Sequence, residues 1–117
     1  MPPKIIALII PARLSQPIRV EKIDTTLAAR QALVEGNVEA ITYRDWHVYL
    51  NDEARFIPLP LNPRAEVLIR EAGFHLLAET VSGTAVFLGH DVNRAEADAP
   101  AHMLRLAEHL FDTALAA

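Results

Sequence analysis

The chain predicts an α+β fold: one domain over residues 1–117, with a mainly antiparallel sheet of five or six strands, two helices on one face and a C-terminal amphipathic helix. Three observations carry this. Short β-branched runs are separated by turn residues, three segments have helical periodicity and capping residues, and two strand-like runs are joined by only two residues. At 117 residues, 51% apolar and 22% charged, the chain has the size and composition of one folded globular unit.

Lys4 to Ile10 is an almost continuous apolar run closed by Pro11, the pattern of a strand covered on both faces and central in its sheet. Ile18, Val20 and Ile23 alternate roughly with Arg19, Glu21 and Lys22, which predicts a second strand with one wet face, paired to the first as a hairpin. Asp24-Thr25-Thr26 caps a helix over about 25 to 35, with Gly36 as its stop. Val38 to Tyr43 and Trp46 to Leu50 form a tight hairpin across Arg44-Asp45. In its second strand, Trp46, Val48 and Leu50 share one face while His47 and Tyr49 point to the other.

Asn62 is an N-cap and Pro63 suits the first helical position. Ala65, Leu68, Ile69 and Ala72 follow at helical spacing, Glu66 is set to pair with Arg70, and Gly73 ends the helix. Phe74 to Val81 and Thr84 to His90 flank Ser82-Gly83 as a second hairpin, with Phe74 to Leu77 as an irregular turn the alternative. Asp91 to Ala99 reads as a polar surface loop, and Pro100 opens a last helix over about 100–115. Its stripe of Met103, Leu106, Ala107, Leu110 and Ala114 is widened by Leu104, Phe111 and Leu115. Such a stripe exceeds one sheet face, so Leu104 and Phe111 are candidates for a protein interface, a homodimer included.

This order of pieces resembles a family of small uncharacterised proteins of actinobacteria, phages and plasmids, known as a domain of unknown function. The resemblance rests on Ile5 to Pro11, on Leu33 to Gly36 followed by Val38 to Ile41, on Asn51-Asp52-Glu53, on Leu59 to Ala65, and on Gly83 to Gly89. It spans about residues 5 to 90, leaving the C-terminal helix outside. Val34-Glu35-Gly36 stands where the family has paired glycines. The resemblance implies no activity; it implies a small accessory protein of a mobile element or its host.

The absence of cysteine removes disulfides, thiolate metal sites and cysteine nucleophiles, in keeping with a cytoplasmic protein. Ile5 to Ile10 is too short for a signal peptide, and no run approaches the roughly 18 apolar residues of a membrane span. A net charge of -4 with dispersed basic residues argues against nonspecific nucleic-acid binding. Ser15 and Ser82 lie outside any nucleophile elbow, and no phosphate loop or dinucleotide fingerprint is present, so no cofactor is implied.

Arg64 is out of place, a positive charge at the positive end of a helix. Either it grips an anionic ligand together with Asn62, or it forms a salt bridge to Asp52 or Glu53. Asn51-Asp52-Glu53 is a solvated turn in preference to a cation site. His102 and His109, two turns or about 10 Å apart on a helix, are too distant to share an ion. His47 and Tyr49 offer a second candidate interaction surface. The functional expectation is thus a noncatalytic factor acting through a protein partner; the alternative is an anion or nucleotide binder at Asn62-Pro63-Arg64. A weaker third is an enzyme site assembled from Arg64, Glu53 and a histidine.

Overall fold

The computed structural model describes residues 4–54, 56–77 and 80–115. The elements run β1 (Lys4–Ile10), β2 (Arg19–Asp24), α1 (Leu27–Val34), β3 (Val38–Tyr43), β4 (Trp46–Asn51), α2 (Pro63–Glu71), β5 (Ala85–His90), β6 (Glu96–Ala97) and α3 (Ala101–Phe111). All pairings are antiparallel, in the order β2-β1-β5-β4-β3, with β6 added to β5. This is the expected α+β domain with a six-stranded sheet.

Pleating sorts the strands between two cores. Leu8, Ile10, Trp46, Val48, Leu50 and Phe87 meet α2 and α3 on one face through Leu68, Ile69, Met103 and Ala107. Ile5, Ala7, Ile9, Val86 and Leu88 meet Val34 and Leu33 of α1 on the other. The two helices that share a face are therefore α2 and α3, and α1 covers the opposite one. β1 has core residues on both faces, as its unbroken apolar run predicts.

Local chemistry sets the helix ends. Thr26 Oγ1 accepts from the Ala29 N–H, and α1 ends at Glu35 with φ 63°. Glu35, and not Gly36, takes the left-handed position; Gly36 instead makes room for Asn51, since a Cβ there would lie 2.8 Å from Asn51 Nδ2. The Asn51 amide donates to the final α1 carbonyls, Val34 O at 3.0 Å and Glu35 O at 3.3 Å. Glu66 does not serve the Arg70 pairing expected of it: its Oε1 accepts from the Val81 N–H at 2.7 Å.

The second expected hairpin does not form. Residues 74–77 continue from α2 as the irregular turn, 78 and 79 lie outside the described residues, and Ser82 pairs with Leu61. The Val81 and Pro60 carbonyls accept from Asn62 N–H and Gly83 N–H, so this segment is tied to the approach of α2. The reason is burial: Ala85 to Gly89 is buried throughout, and a strand so covered belongs between two larger strands, here β1 and β4. Among the described residues no helix is long and apolar enough to cross a membrane.

Candidate functional site

The helix start at Asn62 is closed by its own chain. Asn62 is fully buried: Nδ2 donates to Ile10 O at 2.9 Å and Gly83 O at 2.8 Å, and Oδ1 accepts from Ala65 N–H at 3.0 Å. Arg64 reaches neither Asp52 nor Glu53. Its Nη2 donates to the carbonyls of Pro11 at 2.7 Å, Arg13 at 3.1 Å and Gln16 at 2.9 Å, clamping the β1–β2 loop. Burial pushes the Arg64 guanidinium below its ordinary value. Arg64 Nη2 thus clamps a loop instead of bridging to Asp52 or Glu53, with carbonyls supplying the negative ends. Arg64→Ala is expected to cost about 2 kcal/mol, with Arg64→Lys recovering part of it, in urea unfolding.

Asp52 and Glu53 are exposed in a turn where Asn51 Oδ1 accepts from the Glu53 N–H at 2.7 Å. Among the described residues neither forms an ion pair with Arg64, whose Nη2 is spent on the carbonyls of Pro11, Arg13 and Gln16. Leu104 and Phe111 are half-buried against the main core, which absorbs much of the wide stripe of α3. His102 holds the β3–β4 turn, with Nε2 at 2.9 Å from Asp45 Oδ2.

His47 and Tyr49 gather the most chemistry. They project from β4 onto the α1 face, where β5 brings His90 and β6 brings Glu96. His47 is 5% exposed, and Tyr49 is half-buried. Its Nε2 lies 3.0 Å from Glu96 Oε2, and Tyr49 Oη donates to Glu96 Oε1 at 2.5 Å. From α1, Arg30 stacks its guanidinium 4.8 Å from the Tyr49 ring centre, lies 4.0 Å from Glu96 Oε1 and donates to Thr25 O. Burial and the Glu96 hydrogen bond push the Tyr49 phenol up to about 12, so it remains a donor at neutral pH.

The two imidazoles meet through their Nδ1 atoms at 3.1 Å. His90 Nε2 lies 2.6 Å from Arg44 O, which can only accept, so that nitrogen carries hydrogen. His47 Nε2 likewise donates to the Glu96 carboxylate. Two neutral rings with these tautomers would oppose bare lone pairs, so the pair holds one more proton between the Nδ1 atoms. Burial pushes His47 below the ordinary histidine value, against the raising effect of Glu96. The ring centres stand 5.4 Å apart, the Nδ1 gap plus one ring radius at each end, so the nitrogens face each other on one line. Among the described residues no group of three or more histidine, aspartate or glutamate side chains is placed to hold a metal ion.

A cavity of about 150 Å³ opens beside the pair, lined by Thr42, His47, Tyr49, His90, Arg94 and Glu96 together with Ala40. It adjoins a wider groove that shares Thr42, His90 and Arg94 with it. Sequence reasoning placed His47 and Tyr49 on one face but missed His90, Glu96, Arg30 and Arg94. Strand parity carried a usable signal for His90, which shares a face with Val86 and Leu88; nothing local marks Glu96, which sits in a two-residue strand.

Fold and site define a small α+β domain with a partly buried acid–base cluster on one sheet face. The chain belongs to the family described as DUF3846, a domain of unknown function, which matches residues 5–112. That match takes in α3, beyond the segments on which the sequence resemblance rests. No curated protein and no solved structure matches the chain significantly.

Proposed function

We propose that the protein is a noncatalytic accessory factor of a phage, plasmid or actinobacterial host, working in the cytoplasm by binding another protein, and that the partner adds an extended segment to the free edge of β3. The observation that carries this is the contrast between the two outer strands. β2 is guarded by Arg19, Glu21, Lys22 and Asp24, charges of the kind that block strand addition. β3 reads Val-Glu-Ala-Ile-Thr-Tyr, with one charge, and among the described residues no strand lies on its outer side.

Register identifies the groups on offer. Val38 opposes Asn51, and Asp52 N–H donates to Asn37 O at 2.8 Å, so the hydrogen-bonded pairs are those of Glu39, Ile41 and Tyr43. Val38, Ala40 and Thr42 therefore turn their N–H and C=O groups outward. Both faces of this edge border a cavity, the one already described beside Ala40 and Thr42, and one of about 320 Å³ beside Glu39 and Ile41. A strand laid on β3 directs its alternating side chains to these two sides, the usual source of specificity in strand addition.

Ala40→Pro tests the reading, because it removes an outward N–H while leaving the ladder to β4 intact. Peptides selected from a random displayed library against the native protein are expected to lose at least about tenfold in affinity for the variant, with the melting temperature little changed. Selected peptides that bind the variant equally well, or a library that yields none, would overturn it.

A further inference from the structure

We propose that the cavity beside His47 and His90 is a binding site for an oxyanion, the phosphate or carboxylate group of a small molecule, held by Arg94 and the Thr42 hydroxyl against the proton-sharing histidine pair. The site rests on side chains and does not depend on strand addition to the β3 main chain.

Charge distinguishes this cavity. From β4 and β5 the histidine pair contributes one positive charge, from β6 Glu96 contributes one negative, and from α1 Arg30 contributes a second positive. Arg94, from the β5–β6 connection, adds a third and lines both the cavity and the groove. Its main-chain N–H donates to Asp91 O in a left-handed turn with φ 63°, but among the described residues its guanidinium has no hydrogen-bond or ion-pair partner.

The nearby carboxylates are already engaged. Asp45 faces His102, while Asp91 Oδ1 accepts from Asn93 N–H at 2.8 Å and Ala95 N–H at 3.0 Å. Both oxygens of Glu96 are taken up by Tyr49 and His47. The cavity is thus left with an excess of positive charge and a free guanidinium, the donor best suited to a planar or tetrahedral oxyanion. At about 150 Å³ it accepts a phosphate or carboxylate group but not a whole nucleotide, whose remainder would lie in the adjoining groove.

The histidines also make the site report its own occupancy. Both rings have every nitrogen engaged, so an anion beside them acts on the shared proton by field and not by replacing a hydrogen bond.

The test is a titration of the ¹⁵N-labelled protein with inorganic phosphate, with acetate, and with sodium chloride at matched ionic strength, following the histidine ring nitrogens. Saturable shifts at His47 and His90 are expected with phosphate or acetate and not with chloride, and the stronger of the two identifies the source of the oxyanion. Arg94→Gln is expected to weaken binding at least about tenfold, while Arg105→Gln, which removes the same charge from α3, changes it less than about twofold. Absence of a saturable shift with either oxyanion, or equal loss in both variants, would overturn the site.

Discussion

Asn62→Ala is expected to destabilise the protein by about 4 kcal/mol, a large loss for the removal of one polar side chain. The residue is wholly buried and satisfies three backbone groups at once: the final carbonyl of β1, the carbonyl of Gly83 and the first-turn N–H of Ala65. Loss of the helix cap costs about 1 kcal/mol, and each buried carbonyl left without a donor costs about 1–3 kcal/mol. At roughly 4 °C per kcal/mol for a chain of this size, the melting temperature falls by about 15 °C. Asn62→Asp preserves the cap acceptor but turns a carboxylate toward two carbonyls, so it is not expected to rescue. A loss below about 1 kcal/mol for the alanine variant in urea unfolding would show that the strand-to-helix junction is held by other contacts.

Gly89→Ala is expected to cost about 3 kcal/mol and to disorganise the histidine site from behind. A Cβ on Gly89 would stand 2.4 Å from the carbonyl oxygen of Asp98, with Pro100 Cδ at 3.3 Å and Asp45 O at 3.4 Å. The close atom is backbone, so no rotamer change relieves it and the chain after β6 has to move. Gly89 pairs with Ala97, beside the His90–Glu96 pair, and that movement takes Glu96 away from His47 and Tyr49. A second readout therefore accompanies the stability change. The Tyr49 phenol, pushed up to about 12 by burial and Glu96, is expected to titrate lower in the variant, as ultraviolet absorbance would record. A variant with native phenol titration would mean that β6 tolerates the displacement.

Where local pattern decides structure, the chain is easy to read. The β1–β2 pairing, the β3–β4 hairpin across Arg44-Asp45, the Asn62-Pro63 helix start and the opposed faces of Trp46 and His47 all follow from side-chain period and capping chemistry. What remained hidden depends on partners distant in sequence. Arg64 is visibly misplaced at a helix N-terminus, but its partners are three main-chain carbonyls, and main-chain groups leave no mark in composition. His90 and Glu96 acquire meaning only because β5 lies beside β4 and turns back through β6, 43 and 49 residues from His47 respectively. The expected hairpin at Ser82-Gly83 failed for the same reason: adjacency in sequence was outweighed by the burial β5 obtains between β1 and β4.

The central place of β5 also constrains how the molecule can be made. On the ribosome, β1–β2 and β3–β4 emerge first, as two pairs of strands with no hydrogen bonds between them, because the strand that joins them has yet to be translated. Closing the sheet waits for residues 85–90, and Ile9 then finds Val86 across most of the chain's length. Until that moment both pairs carry open edges and uncovered apolar faces, the condition in which nascent chains aggregate or recruit chaperones. A product that stops short of β5 is therefore two unjoined ribbons.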